Sequence, residues 1–203
     1  MSVLGLRLKK DLLGFPTIQL EEVKSPKKCI ATTRSFEGTL SCFSDLEERI
    51  STFASSCAEK MRKQQSSCNA ILVFVRSNPH KKNTVPYGNS CVIQLPYATD
   101  SSIIISKYAV LGLRKIFKET IAYKKAGVVI MGLTPSSKRQ LNLFDKNNTK
   151  HVSLMQSLDR IHKRFGPNQI KLANQDLKRI WKMKQEHLSN RFTTELKEII
   201  TIK

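Results

Sequence analysis

The chain has 203 residues, 40% of them hydrophobic, and 35 lysines and arginines stand against 16 aspartates and glutamates, giving a formal net charge of +19. That apolar content builds a core and excludes a disordered tail, and the length allows one or two domains. No apolar run reaches the length of a membrane span, so the basic excess predicts a polyanionic partner, nucleic acid before an anionic membrane surface.

The excess runs along the whole chain: residues 1–145 carry 22 basic and 11 acidic residues, and residues 146–203 carry 13 and 5. Residues 3–13, VLGLRLKKDLL, read as an amphipathic helix closed by Gly14. Lys9, Lys10 and Asp11 interrupt the apolar core that a signal peptide needs, which predicts a cytoplasmic protein. Residues 15–28 read as a linker with a basic end, KSPKK.

Residues 29–36, CIATTRSF, predict a strand. Ser44 followed by Glu47 has the spacing of a capping box. Leu46, Ile50, Phe53, Ala54, Cys57 and Met61 then recur at helical spacing, with Glu48, Arg49, Glu59, Lys60 and Arg62 off that stripe. Residues 70–76, AILVFVR, predict a central strand, 77–88 a polar loop, and 90–97, SCVIQLPY, another strand. Asp100 is the expected N-cap of a further helix, with Ile104, Tyr108, Leu111, Ile116 and Phe117 on its buried side. Residues 123–133, YKKAGVVIMGL, give a fourth strand. The string is β-α-β-β-α-β, an α+β fold: right-handed crossovers place two helices on one face of a four-stranded sheet.

The other sheet face is left open. Thr32, Arg34 and Arg76 are the candidates for it, with the lysines of the loop, Lys81 and Lys82, at its rim. Hydroxyls and cations on such a face follow a phosphate backbone without reading base sequence.

Residues 134–150 read as a tether, and within SSKRQLNLFDKNN the polar run displays Leu143 and Phe144. Two readings stand: Gln140, Leu141, Leu143 and Phe144 enter a groove on another protein, or Leu143 and Phe144 fold back onto the sheet. Residues 151–165 predict a helix with Val152, Met155, Leu158, Ile161, His162 and Phe165 as its stripe, stopped by Gly166 and Pro167. The remaining residues read as a small α-rich extension with Trp181 in its core.

The five cysteines, 29, 42, 57, 68 and 91, are odd in number and include no Cys-x-x-Cys pair, which predicts reduced thiols, several of them buried. The four histidines have no metal-ligand spacing, so no metal site is expected.

The stretches LEEVKSPKK and RSF, the segment around QLPYATD, YKKAGVVIMG followed by QLNLFD, and LMQSLDRIHKRFG followed by WKMKQEHLSNRFTTEL occur in an order that resembles the C-terminal half of UmuC-type translesion DNA polymerases of the Y family. The resemblance implies a thumb remnant and linker at 1–26, a little-finger DNA-binding domain at 27–133, a tether with a clamp-binding motif at 134–150 and a basic helical extension at 151–203. It implies template-primer DNA on the sheet and the β sliding clamp at Gln140, Leu141, Leu143 and Phe144. The extension would serve a UmuD′ dimer and RecA. By position in the RSF strand, Arg34 and Ser35 are the first phosphate contacts; Lys27, Lys28, Arg76, Lys124 and Lys125 follow on charge and placement.

One departure is plain. The family's palm holds two Mg²⁺ ions through carboxylates that include an adjacent Asp-Glu pair, and this chain contains no Asp-Glu dipeptide. Glu21-Glu22 and Glu47-Glu48 read as solvated charges. No catalytic residue and no cofactor are therefore assigned to this chain, and no polymerase activity is expected of it alone. The implied role is DNA holding and clamp docking for an error-prone polymerase in SOS repair. Three rivals are a free-standing DNA- and clamp-binding regulator, an enzyme whose core lies on another chain, and an RNA-binding βαββαβ module. Phe74 alone is a poor match to the aromatic pairs the last one needs.

Overall fold

Ile71, Val73 and Val75 alternate with Leu72, Phe74 and Arg76, and the chain answers this two-residue period with a central strand. The first three side chains are buried in the core, and the other three point away from it. The computed structural model describes residues 2–17, 25–81, 86–138, 149–166, 169–177 and 188–198. Its elements are α1 (Val3–Leu12), β1 (Ile30–Leu40), α2 (Phe43–Lys63), β2 (Ser66–Ser77), β3 (Gly88–Thr99), α3 (Ser102–Ile116), β4 (Tyr123–Met131), the short β5 (Thr134–Pro135) and α4 (Thr149–Phe165), with single 3₁₀ turns at Ser136–Lys138 and Leu196–Glu198. The strands lie in the order β1-β4-β2-β3, every neighbouring pair antiparallel, and β5 pairs with the start of β2. The α+β architecture is the expected one: α2 and α3 pack on the sheet, and the two β-α-β units interleave.

The predicted stripe of α2 is its buried face: Leu46, Ile50, Ala54, Cys57 and Met61 are inaccessible and Phe53 is nearly so. The capping box does not form. Helix α2 begins at Phe43 with Cys42 as its N-cap and no side-chain cap bond, so Ser44 lies inside the first turn. A lost cap costs about 1 kcal/mol, whereas each fully buried large apolar side chain contributes about 1.5–3 kcal/mol, so packing sets the start of this helix.

For α3 the expectation is half met. Ser101, not Asp100, is the N-cap, and Leu111 is exposed. The buried residues of the helix are Ser102, Ile105, Ser106, Ala109, Val110, Gly112, Leu113 and Ile116. Small residues win there because the helix lies close to the strands: a β-carbon on Gly112 would stand 3.1 Å from Val73 Cγ2. Phe117 ends the helix and joins an aromatic cluster: its ring centroid lies 5.2 Å from that of Phe43 and 5.8 Å from that of Tyr123, which in turn lies 6.1 Å from that of Tyr87.

Helix α1 forms as read but buries none of its residues. Residues 134–136 are not free of the sheet: Ser67 pairs with Thr134, Ser66 with Pro135, and the Ser136 N–H donates to the Gln65 carbonyl at 2.8 Å.

Helix α4 and residues 169–177 pack on the outer side of α2 and α3. Arg62, read as lying off the α2 stripe, donates from Nε and Nη2 to both Asp159 oxygens at 2.7 and 2.8 Å, and from Nη1 to the Asp100 carbonyl and Ser102 Oγ, each at 2.9 Å. Arg49, also off the stripe, is buried and pairs with the buried Asp176 at 2.6 Å. Asp176 N–H donates to Thr52 Oγ1 at 3.1 Å, and Asn174 Nδ2 to Ser106 Oγ at 2.8 Å. Of the stripe expected on α4, Met155 is 1% exposed, but Phe165 is 61% exposed and Val152 41%. His162 is structural, as expected, its Nε2 against the Ile170 carbonyl at 3.0 Å. Trp181 lies outside the described residues.

All five thiols are free. Burial raises the Cys57 pKa and pushes Cys68 up to about 12. Cys42 is exposed, and the Ser44 hydroxyl with the backbone N–H groups of Ser44 and Asp45 lowers its pKa. Under a thiol reagent at neutral pH, Cys42 should label fast and Cys57 and Cys68 only after denaturant is added, as peptide mapping by mass spectrometry would show. Native-state labelling of Cys57 at the Cys42 rate would contradict this core.

Candidate nucleic-acid interface

Residues directly opposite in an antiparallel sheet point to the same side. The register therefore sorts every strand residue into a helix-facing or an outward set. The outward set forms rows across the four strands. Ser35, Lys125, Arg76 and Gly88 make the first row; Thr33, Gly127, Phe74 and Ser90 the next; Ala31, Val129, Leu72 and Val92 the third. The open face is thus graded, with a cationic row at one end, a row of hydroxyls around one aromatic ring next to it, and an apolar row behind.

This register corrects two assignments. Thr32 and Arg34 stand opposite Val128 and Ala126, which are buried beneath the helices, so both belong to the helix-facing set. Thr32 Oγ1 accepts from Cys57 Sγ and Lys60 Nζ, each at 3.2 Å, which turns its hydroxyl toward α2. The RSF stretch sends only Ser35 to the open face. Residue type favours Thr32 and Arg34; strand parity, anchored on buried Ile30, is the signal that selects Thr33 and Ser35.

The remaining cations divide. Arg76 and Lys125 lie side by side in the first row. Lys124 sits where the β2–β4 register shifts, and its ammonium donates to the Glu37 carbonyl at 2.6 Å. Lys81 is exposed in the turn after β2, beyond the cationic row. Lys27 and Lys28 are exposed at the opposite end of the sheet, where Gln64 clasps the Lys27 backbone N–H at 3.0 Å and its carbonyl at 3.1 Å. Lys82 and the motif residues Gln140, Leu141, Leu143 and Phe144 lie outside the described residues.

Phe74 has a larger place on this face than a lone aromatic suggests. Its ring lies across β4 at Gly127: a β-carbon there would be 2.6 Å from Phe74 Cε1 and 2.6 Å from Thr33 Cγ2. The Arg76 guanidinium carbon stands 5.7 Å from the ring centroid, within cation–π range. Phe74, Arg76, Gly88, Asn89 and Ser90 line a shallow depression at this end of the face.

Among the described residues, no group of three or more His, Cys, Asp or Glu side chains is placed to hold a metal ion. No described helix is long and apolar enough to cross a membrane.

Comparison with known proteins gives these features a family. Residues 27–143 match the impB/mucB/samB family C-terminal domain, and residues 153–202 match a domain of unknown function, DUF4113. UmuC of Salmonella typhimurium is 33% identical over 199 residues, 97% of this chain and 47% of that protein. A DNA polymerase IV of Clostridium acetobutylicum is 24% identical over 161 residues, 77% of this chain and 38% of that protein. A solved insertion ternary complex of Dbh DNA polymerase aligns with a TM-score of 0.42 at 13% identity, covering 64% of this chain and 35% of that one. The chain spans about half the length of UmuC. With its C-terminal domain model matched over more than half of the sequence, the chain belongs to the impB/mucB/samB family.

Proposed function

We propose that this chain is the DNA-holding and clamp-docking portion of an error-prone translesion DNA polymerase of SOS repair. The observation that carries the proposal is the cationic row: Lys125 and Arg76 adjoin on two central strands, with Ser35 beside them, on the sheet face that α2 and α3 leave uncovered. A row of that kind crosses a phosphate backbone and positions it without reading sequence. Family membership and the likeness to a protein named as a DNA polymerase support the polymerase setting. Residues 140–144 would bind the sliding clamp, and the extension would meet further partners such as a UmuD′ dimer or RecA. The reaction itself belongs to a palm that this chain's residues do not supply.

Two titrations of the purified chain test this. Primer-template DNA affinity should fall steeply with salt and vary little with base sequence. Removing Lys125 and Arg76 should lower the log–log salt slope by about 0.9 for each lost phosphate contact. Leu143→Ala/Phe144→Ala should abolish binding to the clamp, measured by calorimetry, and leave DNA binding intact. A flat salt dependence in the unaltered chain sinks the DNA-holding role. Loss of clamp and DNA binding together in the double variant would assign Leu143 and Phe144 to folding.

A further inference from the structure

We propose that Phe74 is the floor of a nucleotide subsite: the depression it forms with Arg76, Gly88, Asn89 and Ser90 takes one nucleoside unit of a nucleic-acid strand against the ring, with the adjoining phosphate on Arg76 and the Ser90 side. The proposal rests on the DNA-holding reading above and deepens it.

Three observations converge on it. The first is the ring's placement. Phe74 is half-buried, whereas its strand neighbours Val73 and Val75 are fully buried on the other side. Its Cε1 and Cζ atoms lie over Gly127, which has no side chain to displace them, and the ring is partly open to solvent. A half-buried phenyl ring on an open sheet face gives a sugar or base an apolar surface, and every base has a π-face to offer it.

Beside the ring stands a cation. Arg76 belongs to the next row along β2, and its guanidinium carbon lies over the ring at 5.7 Å from the centroid. Gly88 is directly opposite Arg76 and gives the arginine stem open passage, since even an added β-carbon would stand 3.6 Å from Arg76 Cγ. Sugar-and-base surface and phosphate-binding charge thus adjoin, as they do along a nucleic-acid strand.

The third observation is the polar wall. Ser90 is the cross-strand partner of Phe74 and is exposed. Its backbone N–H is taken by Asn89 Oδ1 at 2.8 Å, and Asn89 Nδ2 donates to the Tyr87 hydroxyl at 3.2 Å, which fixes the wall without using the serine hydroxyl.

A polyanion that lacks nucleosides separates this subsite from the cationic row. The full chain, Phe74→Ala, Phe74→Leu and Arg76→Ala would each be titrated with fluorescent primer-template DNA over a salt series, and with inorganic polyphosphate. Phe74→Ala should weaken DNA binding about tenfold, from the stacking contribution of one nucleoside. Its salt slope and its polyphosphate affinity should match the unaltered chain. Phe74→Leu keeps apolar bulk and carries the same test if the alanine variant unfolds; it should lose DNA affinity severalfold, again with polyphosphate unaffected. Arg76→Ala should weaken both ligands and flatten the slope. DNA binding by folded Phe74→Leu equal to that of the unaltered chain overturns the subsite, as does an equal loss for DNA and polyphosphate. Neither result touches the DNA-holding role, which fails only if the unaltered chain shows no salt-dependent DNA binding.

Discussion

Gly127→Ala should destabilise the domain by about 1–3 kcal/mol, the cost of overpacking a well-filled site. The ordinary expectation has the opposite sign, since replacing a strand-interior glycine by alanine usually gains about 0.5–1 kcal/mol. Geometry decides between them. Strand β4 lies between β1 and β2, and the new methyl would meet Thr33 Cγ2 on one side and the Phe74 ring on the other, both at 2.6 Å. Neither neighbour yields alone, because relieving one contact leaves the other in place. Combining Gly127→Ala with Phe74→Leu should therefore cost less than the two single changes added together. Denaturant melts of the four proteins give the cycle. Additive losses, or a gain for Gly127→Ala, would show that the ring does not rest where the structure puts it.

Arg62→Ala should loosen helix α4 from the sheet domain while leaving that domain folded. One guanidinium joins three elements: Asp159 of α4 in a two-pronged pair, the Asp100 carbonyl before α3, and the Ser102 hydroxyl in its first turn. Breaking a buried pair costs about 3–5 kcal/mol. The Asp159 side chain keeps 33% of its surface exposed, which reduces the expected loss to about 2 kcal/mol. Hydrogen exchange resolves where that loss falls: α4 amides should exchange faster, and the amides of β2 and β4 should keep their protection. Arg62→Lys should not restore α4, since an ammonium cannot span both carboxylate oxygens and the two α3 acceptors. Unchanged α4 protection in Arg62→Ala would refute the latch. Equal loss in α4 and the sheet would make the extension part of the domain's own cooperative unit.

What the sequence disclosed and what it withheld have physical reasons. Periodicity named the α2 stripe and the alternating strands because large apolar side chains dominate those patterns. It misjudged part of α3, where closeness to the sheet favours Ala109 and Gly112 over Leu111, while Tyr108 packs partly buried against the core as read. Hydroxyl and charge favour Thr32 and Arg34 for the open face, but strand parity turns both toward the helices. Periodicity leaves Arg49 and Arg62 off the buried stripe because their carboxylate partners lie 127 and 97 residues further on, a separation no local pattern encodes. Phe74 has no second aromatic in its pattern to mark it, and its setting depends on Gly127, a residue that signals by having nothing to show.

The row structure of the sheet limits how this protein can change over evolutionary time. Strand β2 carries the core on one side and Phe74 and Arg76 on the other, in strict alternation. A single-residue insertion or deletion inside it would turn Val73 and Val75 to water and drive the ring and the arginine beneath the helices. The places where the pairing already shifts, between Cys68 and Ala70 and between Arg76 and Ser77, bracket this stretch. Length variation is therefore absorbable at the strand's two ends but not between them, and lineages can alter the open face only by substitution, one position at a time.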